Sequence, residues 1–192
     1  MKLLVMLAGS WCVLLLGAQL LQARSYGRKR AFAPAAGNPG AGVRYAFTGA
    51  MLPWAKESVR MNPASYLGGL AYHAGLFAAF TMLFWPSRAL AALPLAGALA
   101  GSALLAKRIL KPHLRGLSNA DDFIANGLAT GFAALAGASA FLPWAASILP
   151  WWCAALLFYI PLGKIRHCVF FFLSRYHLGA FFGRRGSFPP EA

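Results

Sequence analysis

Five apolar runs, each near the length of a bilayer-crossing helix, constrain this chain more than any other feature. A hydrocarbon core about 30 Å thick needs roughly 20 apolar residues of helix. The runs extend from about Leu3 to Leu21, Tyr66 to Trp85, Ala89 to Ala106, Phe123 to Leu142 and Ala145 to Leu173. Backbone groups in lipid must find partners within their own segment, so each run is expected to be helical. The last run is apolar to Leu162, is interrupted by Lys164 and Arg166, and resumes with VFFFL. Trp85, Trp144, Trp151 and Trp152 stand near run ends, as in the aromatic belt of a membrane interface. The expected fold class is all-α integral membrane, a five-transmembrane-helix bundle forming a single domain over 1–192.

Composition narrows the alternatives. The 192 residues are 59% hydrophobic and 11% charged, whereas a soluble domain carries about a quarter charged residues. Eighteen Lys and Arg face four Asp and Glu, a net charge of +14. A nucleic-acid binder can be this basic, but it must solvate its basic face and is not also this apolar. No nucleic-acid partner is expected; the lipid bilayer is.

The cations also orient the bundle. Arg24, Arg28, Lys29, Arg30, Arg44, Lys56 and Arg60 lie between the first two runs. Lys107, Arg108, Lys111 and Arg115 lie between the third and fourth, and Lys164, Arg166, Arg175, Arg184 and Arg185 lie toward the C-terminal end. Only Lys2 and Arg88 remain for the opposite side. The positive-inside rule then puts the N-terminus outside and the C-terminus in the cytoplasm, with 22–65 a cytoplasmic loop and 174–192 a cytoplasmic tail. The opening MKLLVMLAGSWCVLLLGAQLLQA has the basic start and apolar run of a secretory signal. Cleavage would strand seven cations outside, and Leu21 is a poor residue two places before Ala23, so a retained helix is expected.

Between the first two runs, 22–42 is rich in Gly, Ala, Pro and Arg, and VRYAFTGAMLPWAKESVRMN (43–62) mixes aromatics with cations. The second half suits the cytoplasmic interface. The outer loops are very short, so a docking partner would come from the cytoplasm.

Few motifs carry chemistry. Cys12, Cys153 and Cys168 have no paired spacing, and there is no CxxCH and no cysteine set for an iron–sulfur cluster. No phosphate-binding or dinucleotide fingerprint occurs, and four acids leave little scope for carboxylate catalysis. In LSNADD, Ser118, Asn119 and Asp121 are natural N-cap residues; a proton relay through Asp121 or Asp122 is the more demanding alternative. GALAG (97–101) and GLATG (127–131) space small residues four apart, which lets helices, or a flat cofactor, approach closely. Helix packing is the simpler reading.

Histidine is the exception. His73 stands inside the second run and His167 at the cytoplasmic end of the fifth. An ionisable residue inside a membrane helix is a functional candidate by default. At 1.5 Å per residue, His73 lies about 10 Å in from Tyr66 and His167 about 33 Å from Ala145, so both fall toward the cytoplasmic side. Two imidazoles at similar depth suit bis-histidine ligation of a b-type haem. The bland alternative is two unrelated histidines bonded to backbone carbonyls. His113 in LKPHLRG reads as a solvated neighbour of cations, and His177 is too far along a helix from His167 to share a ligand site.

At these histidines the sequence resembles the gamma subunit of respiratory nitrate reductase and related five-helix membrane cytochrome b subunits. NPASYLGGLAYHAG (62–75) is similar to the family's entry to its second helix, with His73 as the cytoplasmic-side ligand. LLAKRILKPHLRGLSNADDFIANGL (104–128) looks like its basic loop into the fourth helix, and YIPLGKIRH (159–167) like its fifth-helix ending, with the ligand on His167. The family commonly holds a second haem, and its ligand places fall here on Leu83 and Leu149. The resemblance therefore implies a single-haem variant. It implies a bacterial inner-membrane subunit, multi-pass, carrying electrons between quinone and a cytoplasmic iron–sulfur or other redox subunit through one haem b. Such a subunit serves an oxidoreductase without being catalytic alone. His73 and His167 are the expected axial ligands to the haem iron, Lys164 and Arg166 the candidate propionate contacts, and Arg88 a candidate quinone contact. The alternative class is a haem-free membrane anchor or assembly subunit of a respiratory complex. A small transporter is disfavoured, because the runs lack inward polar residues and internal repeats.

Overall fold

In the computed structural model, residues 2–27 and 32–190 are described, and no β-strand occurs among them. Arg28, Lys29 and Arg30, three of the cations counted above, lie outside the described residues. The helices are α1 (Lys2–Ser25), α2 (Pro39–Phe47), α3 (Glu57–Met61), α4 (Pro63–Phe84) and α5 (Ala92–Leu110). They continue with α6 (Pro112–Gly116), α7 (Ala120–Ala138), α8 (Pro143–Tyr159) and α9 (His167–Arg184). Short 3-10 turns occupy Gly49–Met51, Pro53–Ala55 and Lys164–Arg166.

Three helices are long and apolar enough to cross a membrane: Leu3–Ser25, Pro63–Phe84 and Ala92–Leu110. These three helices are consistent with a multi-pass membrane protein. The fourth expected span, α7, is helical as anticipated, but Asp121, Asp122, Asn126 and Thr130 dilute its apolarity. The fifth, 145–173, is not one continuous helix. It breaks at 160–163 between α8 and the turn that leads into α9. Pro161 has no N–H to continue the i to i−4 ladder, and a Cβ on Gly163 would lie 2.5 Å from the Tyr159 ring. The expected tail 174–192 is also helical as far as Arg184.

The chain divides into two compact units, Met1–Leu15 with Ala64–Ile165, and Leu16–Pro63 with Arg166–Ala192. In the first, α7 packs against both α5 and α8. Ala98, Ala129, Ala133, Ala136 and Ala145 are buried, and so is Leu149. Phe132 is fully buried, with the Phe80 ring 4.7 Å away. Lipid removes most of the hydrophobic drive between helices, so small residues that admit close contact supply the association. Helix α4 meets α5 at such a point, where a Cβ on Gly75 would stand 2.5 Å from the Gly97 Cα.

The second unit is organised around α2 against α9. A Cβ on Gly179 would lie 2.7 Å from the Val43 Cα, and one on Gly183 would lie 2.6 Å from the Asn38 carbonyl oxygen. The Asn38 side chain caps α2 by accepting from the Gly40 and Ala41 N–H groups. At the far end of α9, Gly186 has φ +75°. Its N–H bonds Gly183 and the Ser187 N–H bonds Phe182, the Schellman arrangement that closes a helix with glycine. The Ala36 and Gly37 N–H groups then donate to the Arg184 carbonyl, and the Arg184 guanidinium donates to Ala33 at 2.7 Å.

Candidate functional site

His73 lies midway along α4, and its imidazole is exposed. Nδ1 is 2.7 Å from the Gly69 carbonyl oxygen, one helical turn earlier. A carbonyl only accepts, so Nδ1 carries the proton and donates it. The lone pair is then on Nε2, the tautomer that metal-ligating histidines adopt when a carbonyl orients the other nitrogen. The donor chemistry of His73 therefore fits an axial ligand. The helix begins at Pro63 rather than Tyr66, which puts His73 about 15 Å along it rather than 10 Å.

His167 is the first residue of α9 and is exposed. His73 belongs to the first compact unit and His167 to the second. His113 is exposed on α6, and His177 is exposed on α9.

The most developed polar cluster surrounds the start of α7. Asn119 caps the helix, accepting from the Asp122 N–H while the Asp122 carboxylate accepts from the Asn119 N–H at 3.0 Å, a complete capping box. Lys164 Nζ approaches Asp122 Oδ1 at 2.7 Å, and Arg108 Nη1 at 3.6 Å. The Lys164 contact and the Asn119 N–H hold the Asp122 carboxyl below the usual carboxylate range. Asp121 takes a different role: its Oδ1 accepts from the Tyr159 hydroxyl and, at 3.2 Å, from the Lys164 N–H. Asp121 thus holds Tyr159 and Lys164, one on each side of the break after α8. Arg108 also donates to the Ser118 hydroxyl at 2.8 Å. Capping and cross-helix pairing account for both aspartates.

No protein-family model, no curated protein and no solved structure matches this chain.

The other expected contacts fall in different places. Lys164 is engaged with Asp122, whereas Arg166 belongs to the second unit and is exposed. Arg88 directs Nε toward the Ala140 carbonyl at 3.4 Å, beyond the end of α7. The glycine motifs are used for packing: Gly97 against Gly75, Gly101 against Tyr72 and Thr130, and Gly131 against the Trp152 ring. Gly127 faces open space. Among the described residues no group of three or more His, Cys, Asp or Glu is placed to hold a metal ion.

Two features escaped the sequence reading. Tyr72 donates to the Asn126 carbonyl at 3.1 Å, and Thr130 Oγ1 lies 3.0 Å from its hydroxyl and 2.9 Å from Asn126 Oδ1. The signal was the i, i+4 spacing of Asn126 and Thr130, which puts two polar groups on one face of an apolar helix. The second feature is a pair of grooves in the second unit, beside the C-terminal end of α1. One, of about 790 Å³, runs along α9 from Cys168 to His177. The other, of about 540 Å³, is lined by Gln19, Gln22, Tyr26, Arg166 and Phe170. Ala23 borders both.

Proposed function

We propose that this chain is a membrane cytochrome b subunit with one haem b, His73 and His167 being its axial ligands. The observation that carries the proposal is the Nδ1–H of His73 donated to Gly69, within a helix apolar enough to span a bilayer. An imidazole at such depth is costly unless it serves a site, and this tautomer directs the basic nitrogen away from the helix backbone. When bound, haem b supplies one-electron transfer at a potential set by its axial ligands and its burial. The chain's own part is to hold two imidazoles and orient His73 through Gly69. No acid–base step is assigned to any residue.

The resemblance to nitrate reductase gamma subunits extends the proposal. The subunit would sit in a bacterial inner membrane with its C-terminus in the cytoplasm. It would exchange electrons between quinone and an iron–sulfur or other redox subunit docked on the cationic side. Arg166 is retained as a propionate contact. Lys164 is proposed to organise the break after α8 through Asp122, and Arg88 to close the end of α7. Leu149 is buried in the packing of α8, in keeping with one haem rather than two.

Oxidised and dithionite-reduced visible spectra of the detergent-purified protein test the reading. The expected result is a Soret band that shifts on reduction, a haem-to-chain ratio near one, and loss of the band in His73→Ala and in His167→Ala. A chain without a Soret band would instead be the haem-free anchor or assembly subunit. A ratio near two would refute the single-haem assignment, and unchanged spectra in both variants would refute the ligands.

A further inference from the structure

The two grooves flanking the end of α1 share a layout of which the electron-transfer reading uses only Arg166. The larger combines an apolar wall, from Leu20, Val169, Phe172 and Leu173, with Arg24 and Tyr176. The smaller pairs Phe170 with Arg166 and Tyr26. Each groove thus offers aliphatic or aromatic surface for a chain, one guanidinium, and one tyrosine. Helix α1 is long and apolar enough to span a bilayer, and Arg24 stands in its last turn. With α1 spanning the bilayer, its last turn would lie at headgroup depth and Leu20, one turn earlier, at the upper acyl chains.

Charge selects the occupant. The segments that make up this unit hold eleven of the chain's eighteen Lys and Arg but only two of its four acids. A zwitterionic lipid gains little from such a field, whereas an anionic headgroup gains at both arginines, each able to bind two phosphate oxygens at once. We propose that the end of α1 is a binding site for an anionic phospholipid, with Arg24 and Arg166 holding phosphate and the two grooves receiving acyl chains. Tyr176 and Tyr26 stand where an amphipathic ring contacts the glycerol region. Bound lipid would fill the space beside α9 and fasten α1 to it. The proposal needs no haem, and it shares only Arg166 with the cytochrome reading.

Native mass spectrometry of the full chain in detergent, titrated with dioleoyl phosphatidylglycerol or dioleoyl phosphatidylcholine, is the test. Phosphatidylglycerol should be retained and phosphatidylcholine lost. The R24Q/R166Q variant should bind phosphatidylglycerol roughly thirtyfold more weakly, from the usual contribution of two cations near a membrane surface. K111Q/R115Q removes the same charge on the first unit and should leave retention unchanged. Val169→Trp, which narrows the larger groove without changing charge, should also lower retention, so the proposal survives misfolding of either groove variant. Equal retention of the two lipids, or equal losses in the two double variants, would overturn it. So would displacement of phosphatidylglycerol by a menaquinone at equal concentration, which would give the groove to quinone instead.

Discussion

The two units of this protein manage charge in opposite ways. In the first, Asp122 gathers Lys164 and Arg108, and Asp121 gathers Tyr159 and the Lys164 backbone. Its cations near α7 are answered from within the chain. In the second, cations are dense and acids scarce, and cohesion comes from glycine backbone meeting glycine backbone between α2 and α9. A region that meets its own charges needs little from outside. One that does not is left with a field that attracts anions, whether lipid phosphate or the acidic face of a partner.

This contrast can be broken most forcefully at the glycine seam. Gly42→Leu forces a side chain into the backbone of α9 around Gly179 and Gly183. It should cost about 3 kcal/mol or more, seen as a lowered unfolding midpoint in detergent and early proteolysis after residue 38. A midpoint unchanged within error would mean that α2 is not held by this seam.

A smaller effect is expected at the charge cluster. Asp122→Asn keeps the cap acceptor but removes the charge that Lys164 and Arg108 face. Both partners are partly exposed, so the loss should be only about 1 kcal/mol at neutral pH. Its pH dependence is the sharper check. Because the folded carboxyl titrates below its ordinary value, its contribution is complete above the unfolded value of about 4. It is lost as pH falls through the lowered folded value. The difference in unfolding midpoint between the parent and D122N should therefore be constant from pH 8 to about pH 5 and shrink toward about pH 3. A difference that instead grows on acidification would show that Asp122 is not stabilised as a carboxylate.

Tyr72→Phe tests the neutral network in the same unit. It removes the hydroxyl shared with Asn126 and Thr130, and such bonds between membrane helices are worth about 0.6 kcal/mol on average. A loss several times larger, read from the same unfolding curves, would indicate that the network does more than join α4 to α7. The smallest effect belongs to Gly127→Ala. A Cβ there meets nothing, so the variant should be neutral or gain about 0.5 kcal/mol from helix propensity. A loss would reveal a neighbour at this face that the isolated chain does not contain.

Particular residues show why some of this was legible in sequence and some was not. The apolar runs gave α1, α4, α5 and α7 because a bilayer-length run has few alternatives to helix. LSNADD announced a cap because a short acceptor side chain before a helix has one obvious task. The break at 160–163 was overlooked although Pro161 and Gly163 were in plain view. Apolar content alone could not say whether a proline would kink the helix or end it, and the outcome rested on Asp121, some forty residues away, holding Tyr159 and Lys164. The helical character of 174–184 was missed for a related reason. SRYHLGAFFGR has no strong amphipathic pattern, and its stability comes from docking Gly179 and Gly183 on α2.

For the candidate site, composition and spacing singled out His73 and His167, but not the bond from Nδ1 to Gly69 that sets the tautomer. Nor did they show that Lys164 faces Asp122, or that Arg24 and Arg166 border neighbouring grooves. The sequence by itself determined that this is a helical membrane protein, because hydrophobicity over some twenty residues is a local property that solvent alone enforces. The tertiary structure decided which charges are matched within the chain, because pairing depends on distances between segments that no local pattern encodes.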